Sequence, residues 1–328
     1  MNLKKITFFT ATLMTAAAIL TSCGEGNPLR SSSEDKKTVM TVGGDNVKFE
    51  EFRYFWLNNK RDLYGEGADL DENAVENLTS LVETNVSDRH ALRLLAKDFG
   101  VELTDDDKNR AKAYVDTFRA TCGDTDAYKD QLRNQYLNEP FFIELTADTT
   151  VAYALLDAMA EKGAIKVSED DYNAATATDE VLCIKEIYVT WPSADYKDWA
   201  KGRVEEALAK LNAGEKFEDL MTEYSNYNPT DLPPEHGYYT MEYDALEEIW
   251  DAAKNLREGE YSGIIETDFG YHIVLRAKKD AEYMATQHDE LYEIFRQSRF
   301  YEYFYEYKKT LPIEYTSFGE KLDLKGIE

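Results

Sequence analysis

The sequence is poor in cysteine, histidine and positive charge. Cys23, Cys122 and Cys183 are the only thiols in 328 residues, and His90, His236, His272 and His288 the only imidazoles. Cys122 and Cys183 fall in segments that read as different domains, so no disulfide framework is expected. No His/Cys cluster has the spacing of a zinc site, and neither a metal nor a cofactor is expected. With 37 basic against 64 acidic residues the formal charge is −27, which repels phosphate backbones and excludes nucleic-acid binding. No glycine loop for phosphates and no nucleophile elbow occurs. After residue 20 no apolar run is long enough to span a membrane.

The N-terminus does carry an apolar run. Lys4 and Lys5 precede Ile6 to Leu20, the layout of an export signal. It ends in Leu20-Thr-Ser-Cys23, followed by Gly24, which resembles the lipobox of bacterial lipoproteins. The resemblance implies a signal peptide over 1–22 and lipidation of Cys23. The chain is then expected outside the cytoplasm, anchored to a bacterial membrane. Residues 23–37 lack apolar periodicity and read as a flexible tether.

The remaining chain is too long for a single core, and two lobes are expected. Val39 to Val47 reads as a strand and turn about Gly43-Gly44. Phe49, Phe52 and Trp56 begin a helical pattern, and Glu72 to Phe99 continues it up to Gly100. Thr104 and Ser168 each head a run of acids that resembles a capping box. Helices are expected over Asp126 to Tyr136 and Glu139 to Met159. From Val181 the period changes. A β-rich run to Trp191 precedes helices over Tyr196 to Ala213 and around Phe217 to Tyr224. A short strand at Gly237 to Thr240, a helix over Leu246 to Asn255 and a hairpin complete the unit. The hairpin joins Ile264-Ile265 to His272–Leu275 through Thr-Asp-Phe-Gly. Met284 to Leu311 is helical again. The expected fold class is α+β.

Two groups of motifs carry a family resemblance. Gly214-x-x-Phe-x-x-Leu-x-x-x-Tyr-Ser225, then Gly259-Glu-Tyr-Ser, Thr267 and Gly270-Tyr-His-Ile resemble the parvulin-type peptidyl-prolyl isomerase domain, in order, over about Leu182 to Ala277. Val42-Gly-Gly-Asp, the helix ending Ala96-Lys-Asp-Phe-Gly-Val-Glu-Leu-Thr, and Asp126-Ala-Tyr-Lys-Asp-Gln-Leu resemble the N-terminal region of PrsA- and SurA-type foldases. The resemblance implies a helical chaperone lobe over 38–178, an inserted isomerase domain over 179–280, and a C-terminal helix over 281–328 that returns to the helical lobe. It also implies a prolyl isomerase and chaperone whose partners are unfolded exported chains with X–Pro bonds.

The same resemblance nominates the site. His272 and Thr267 stand at two positions of the family's buried polar network, as catalytic residues. Glu186 stands where the family has a first-strand histidine, and Tyr227 where it has Cys or Asp; Asp231 is a nearby acid. Tyr239, Met241, Leu246, Ile249 and Phe269 are nominated to grip the proline ring. Because half of the polar network is altered, two readings compete. One is an active isomerase; the other is a parvulin-fold chaperone that only binds clients. A solute-binding or structural surface lipoprotein is a third, but the former would call for repeated βα units, which the pattern does not offer.

Overall fold

The computed structural model describes residues 34–65, 67–191, 196–226 and 236–327. Cys23, Tyr227 and Asp231 lie outside the described residues. The chain divides into two compact units. One is Ile165–Glu302; the other takes in the described residues up to Ala164 together with those from Tyr303 onward. The sequence placed these limits at 179 and 280. Helices and small antiparallel sheets make up both, so the α+β expectation stands.

The helical unit begins with β1 (Thr38–Val42) and β2 (Asp45–Lys48), joined by Gly43-Gly44. Both glycines have positive φ, 56° and 84°, as a tight two-residue hairpin turn requires. A strand of three residues that the sequence did not suggest, β7 (Ile313–Tyr315), adds to the free edge of β1, giving the order β2-β1-β7. Then follow α1 (Phe49–Tyr64), α2 (Glu72–Asp98), α3 (Asp105–Thr121), α4 (Thr125–Asn134) and α5 (Glu139–Glu161). The caps are where the side chains predict them. Asp71 accepts from Ala74 N–H, and Thr104 and Asp107 form a reciprocal capping box. Gly100, at φ 68°, lets the chain leave α2 in the left-handed conformation. Phe52, Trp56, Leu78, Val82 and Phe142, all fully buried, form the core of this unit.

The other unit is built on a four-stranded antiparallel sheet in the order β4-β3-β6-β5. Its strands are β3 (Leu182–Val189), β4 (Tyr238–Thr240), β5 (Ile265–Thr267) and β6 (Gly270–Ala277). α6 (Glu169–Thr176), opened by a Ser168–Asp171 capping box, precedes the sheet. α7 (Lys197–Asn212) and α8 (Phe217–Tyr224) cover one face, where Val204, Leu220 and Phe217 meet Ile187, Val189 and Ile273. α9 (Glu247–Lys254) covers the other, where Ile249, Trp250 and Ala253 meet Leu182, Ile184 and Val274. Alternation along β3 thus sends odd and even residues to different cores.

The helix expected over Met284 to Leu311 is two: α10 (Ala281–Thr286) and α11 (His288–Lys309). Within the sheet-bearing unit, Leu291, Ile294 and Phe295 of α11 join Tyr172, Ala175, Val181, Cys183, Tyr239 and Met241 in a third cluster. That cluster explains why the contacts assign 165–180 and 281–302 to this unit. The two cysteines described, Cys122 and Cys183, are free thiols. Among the described residues no helix is long and apolar enough to cross a membrane.

Candidate functional site

The even residues of β3 face α9, and Glu186 and Tyr188 continue that row beyond Ile184. The β3–β6 register sets Tyr188 opposite His272 and Glu186 opposite Val274; β5 sets Ile265 against the other edge of His272. All four strands deliver polar groups to one patch. Glu186 Oε1 closes on His272 Nδ1. His272 Nε2 lies 2.8 Å from Thr267 Oγ1. Tyr238 OH donates to Glu186 Oε2 at 2.9 Å. Thr267 Oγ1 also accepts Phe269 N–H at 3.2 Å, so the hydroxyl proton is left to point at Nε2 or at the Gly270 carbonyl, 3.3 Å away.

The result is an ordered chain from Tyr238 through Glu186 and His272 to Thr267. A carboxylate beside Nδ1 calls for a proton on that nitrogen, which leaves Nε2 to accept from Thr267. Glu186, His272 and Thr267 are all buried, and each polar atom of the chain has a partner, as buried polar groups require. Burial, with Glu186 adjacent, pushes the Tyr238 phenol well above its usual value; it remains a donor at any ordinary pH.

Beside this chain lies an apolar wall. Leu246, Ile249, Trp250, Ile265 and the ring of Tyr238 pack with Ile184 and Val274. Phe269 stands at the tip of the β5–β6 turn, 59% exposed. Two nominated pocket residues are elsewhere. Tyr239 and Met241 belong to the cluster under α6 and α11, and Tyr239 OH donates to the Asp280 carbonyl at 2.9 Å. Tyr239 pairs with Cys183, an odd residue of β3, so it projects from the sheet face away from His272. Its expected place in the pocket is corrected by one position: Tyr238, which pairs with Ile184, faces the site. A one-residue change of register exchanges every side chain between faces. Tyr188 and Tyr238 are the site residues that the sequence did not single out; the Gly-Tyr-Tyr run held the second, and only the β3–β4 register distinguishes the two tyrosines.

Residues 182–278 match the profile of the rotamase family described as the PPIC-type PPIase domain. This segment is similar to PPIC-type rotamase domains. The chain is also similar to the foldase protein PrsA of Bacillus subtilis, with 33% identity over 140 residues, 40% of this chain and 43% of that relative. The match thus spans less than half the length of that relative. PrsA of Clostridium perfringens is 23% identical over 265 residues, 73% of this chain and 72% of that one. Among solved structures, PrsA of Streptococcus pneumoniae matches 83% of this chain and 86% of that chain, at 16% identity and a TM-score of 0.36. Glu186, His272, Thr267 and Tyr238 all fall inside the matched segment.

The helical unit has a concavity of its own, about 590 Å³, lined among others by Arg53, Tyr128, Leu132, Arg133, Tyr136 and Glu139. Tyr136 there has φ 55°, the one non-glycine residue with positive φ among those described.

Proposed function

We propose that the protein is an extracytoplasmic foldase, anchored through lipid on Cys23, that isomerises X–Pro bonds of exported chains and holds those chains on its helical lobe. The observation that carries the reading is the polar chain Tyr238–Glu186–His272–Thr267, set beside an apolar wall within the rotamase domain. Isomerisation breaks no bond. The barrier of roughly 18–20 kcal/mol is the partial double bond of the amide, and it falls when the twisted amide is bound better than the planar forms. Leu246 and the tip residue Phe269 supply apolar surface for a proline ring, with the buried Ile249 behind Leu246. The buried polar chain, with both ring nitrogens of His272 held by Glu186 and Thr267, sets a fixed array of dipoles beside the amide as it loses planarity. No nucleophile is needed, in keeping with a site built of buried, mutually satisfied groups.

The domain plan belongs to the same proposal: a helical lobe in two chain segments, with the rotamase domain inserted between them. The mixed apolar and charged lining of the concavity in the helical unit suits an unfolded segment that offers both kinds of side chain. Stable attachment at Cys23 follows from more than one acyl chain, since each buried methylene contributes about 0.8 kcal/mol.

The test is proline-peptide isomerisation by the full-length protein. Catalysis above the spontaneous rate is expected, with loss in His272→Ala. Glu186 in place of the family histidine is what favours the second reading, a domain that binds without catalysing. No rate above background, in the wild type and in Glu186→His alike, would establish that second reading. For the anchor, Cys23→Ser should abolish labelling by a lipid analogue; persistent labelling would refute it.

A further inference from the structure

We propose that Tyr238 is a positioning residue of the isomerisation site, acting on His272 through the Glu186 carboxylate. The proposal rests on the isomerase reading above and adds to it a residue whose hydroxyl is bonded to Glu186.

The geometry divides the carboxylate between two tasks. Oε1 meets His272 Nδ1 and Oε2 accepts the Tyr238 hydroxyl at 2.9 Å. A carboxylate held at one oxygen turns freely about its last torsion; held at both it has one plane. That plane fixes the direction in which Nδ1 is bound, and so the tilt of the ring and the aim of Nε2.

Tyr238 is itself held. Its ring packs into the apolar wall with Ile184, Ile249 and Leu246, and its strand closes tightly on β3. At Gly237, φ 68°, a Cβ would lie 2.6 Å from the Ile184 carbonyl oxygen, so only glycine admits this approach. The phenol stays protonated beside the carboxylate and can act in one sense only, as a donor. Tyr238 therefore belongs to both parts of the site: its ring is wall and its hydroxyl is the first link of the polar chain. Occupancy of the wall by a proline ring is felt at Glu186 through one side chain.

The test is Tyr238→Phe in the full-length protein, which keeps the ring and deletes the hydroxyl. The kcat/KM for a proline peptide should fall about three- to tenfold, the range for one lost hydrogen bond. The fall should sit in kcat, with KM held by the ring that remains in the wall. The second readout does not depend on activity. The chain has four histidines, so ring-¹⁵N spectra are simple to assign. The Nδ1–H signal of His272 should be sharp and slow to exchange in the wild type. In the variant it should exchange faster, with mixed Nδ1 and Nε2 tautomers. A variant that melts lower but keeps its kcat and its His272 ring signals would overturn the proposal, leaving Tyr238 a core residue. An inactive wild type would instead remove the isomerase reading, and the nitrogen signals would still decide whether Tyr238 orients the imidazole.

Discussion

The ring of Tyr188 lies flat on that of His272, centroids 4.3 Å apart and planes 18° from parallel. The same tyrosine donates its hydroxyl to the Phe269 carbonyl at 3.1 Å, tying the exposed hairpin tip to the buried imidazole. Gly270 makes room for it: a Cβ there would run into the Tyr188 ring and lie 2.7 Å from the Val189 carbonyl oxygen. Tyr188→Phe retains the stack and frees the tip. Its kcat/KM should fall by about two- to fivefold, within the net worth of one hydrogen bond, with a melting temperature close to the wild type. Gly270→Ala, which displaces the ring itself, should lower both. Equal activity in Tyr188→Phe and the wild type would show that the tip needs no tether.

His272 and Glu186 should be unequal to the sum of their parts. His272→Ala leaves a buried carboxylate with Tyr238 as its remaining partner, at a cost of about 1–3 kcal/mol for the unsatisfied group. Glu186→Val likewise orphans Nδ1. Replacing both, as Glu186→Val with His272→Leu, removes the polar demand together and should cost less than the two singles added. Urea unfolding of the three variants measures this; strict additivity would mean that the pair is not coupled.

Much of the site was legible because its signals are local. Thr267, the turn, and His272 lie within six positions of one another; the hairpin pattern gives the turn, and the parvulin resemblance names the two residues as network positions. Glu186 followed from the parvulin resemblance alone, which sets a family histidine at its place on the first strand. Tyr238 did not, since β4 has three residues and alternation over so short a strand does not say which face is which. The face is set by pairing with β3, more than 50 positions earlier in the chain, and that pairing is a property of the folded sheet. The limits at 165 and 302 were hidden for the same reason: Tyr172 and Phe295 meet Tyr239 only once the sheet exists. A further group escaped notice altogether. Arg89, His90 and Asp148, none of them singled out by the sequence pattern, lie on α2 and α5 and are all buried.

That group gives the helical unit a buried ion network. Arg89 binds Glu51 at 2.7 Å and Asp148 at 2.7 Å, and Arg93 shares Asp148 from a position 30% exposed. Arg89→Leu would strand Glu51 and the fully buried Asp148, and should cost about 3–5 kcal/mol, as for one broken buried pair. Arg93→Leu leaves Arg89 on Asp148 and should cost less than half as much. Denaturant unfolding decides; similar costs for the two would mean that Arg89 is not the centre of the network.

The network also makes stability depend on pH in two windows. His90 lies 2.7 Å from Asp45 and 3.2 Å from Glu51, with Arg89, Arg93, Glu144 and Asp148 completing the charged surroundings. Burial opposes its protonation, but the hydrogen bonds and charges of Glu51 and Asp45 outweigh it and raise the imidazole above its usual 6.5. A raised folded value means that the contribution is complete below about pH 6.5 and is lost as pH climbs through the folded value. Glu51 runs the other way. Burial would raise it, yet Arg89 and His90 hold the carboxyl at about 2, so its contribution is present above the ordinary 4.5 and fades as pH falls toward about 2. Stability of the helical unit should therefore peak between these windows and decline on both sides. His288 is also raised, by Asp289 and Glu169, but it is solvated and screened and adds little. In His90→Gln the alkaline decline should flatten while the acid decline remains. Urea midpoints from pH 3 to 9, followed by far-ultraviolet dichroism, supply the comparison. An alkaline limb unchanged in His90→Gln would assign it to another group.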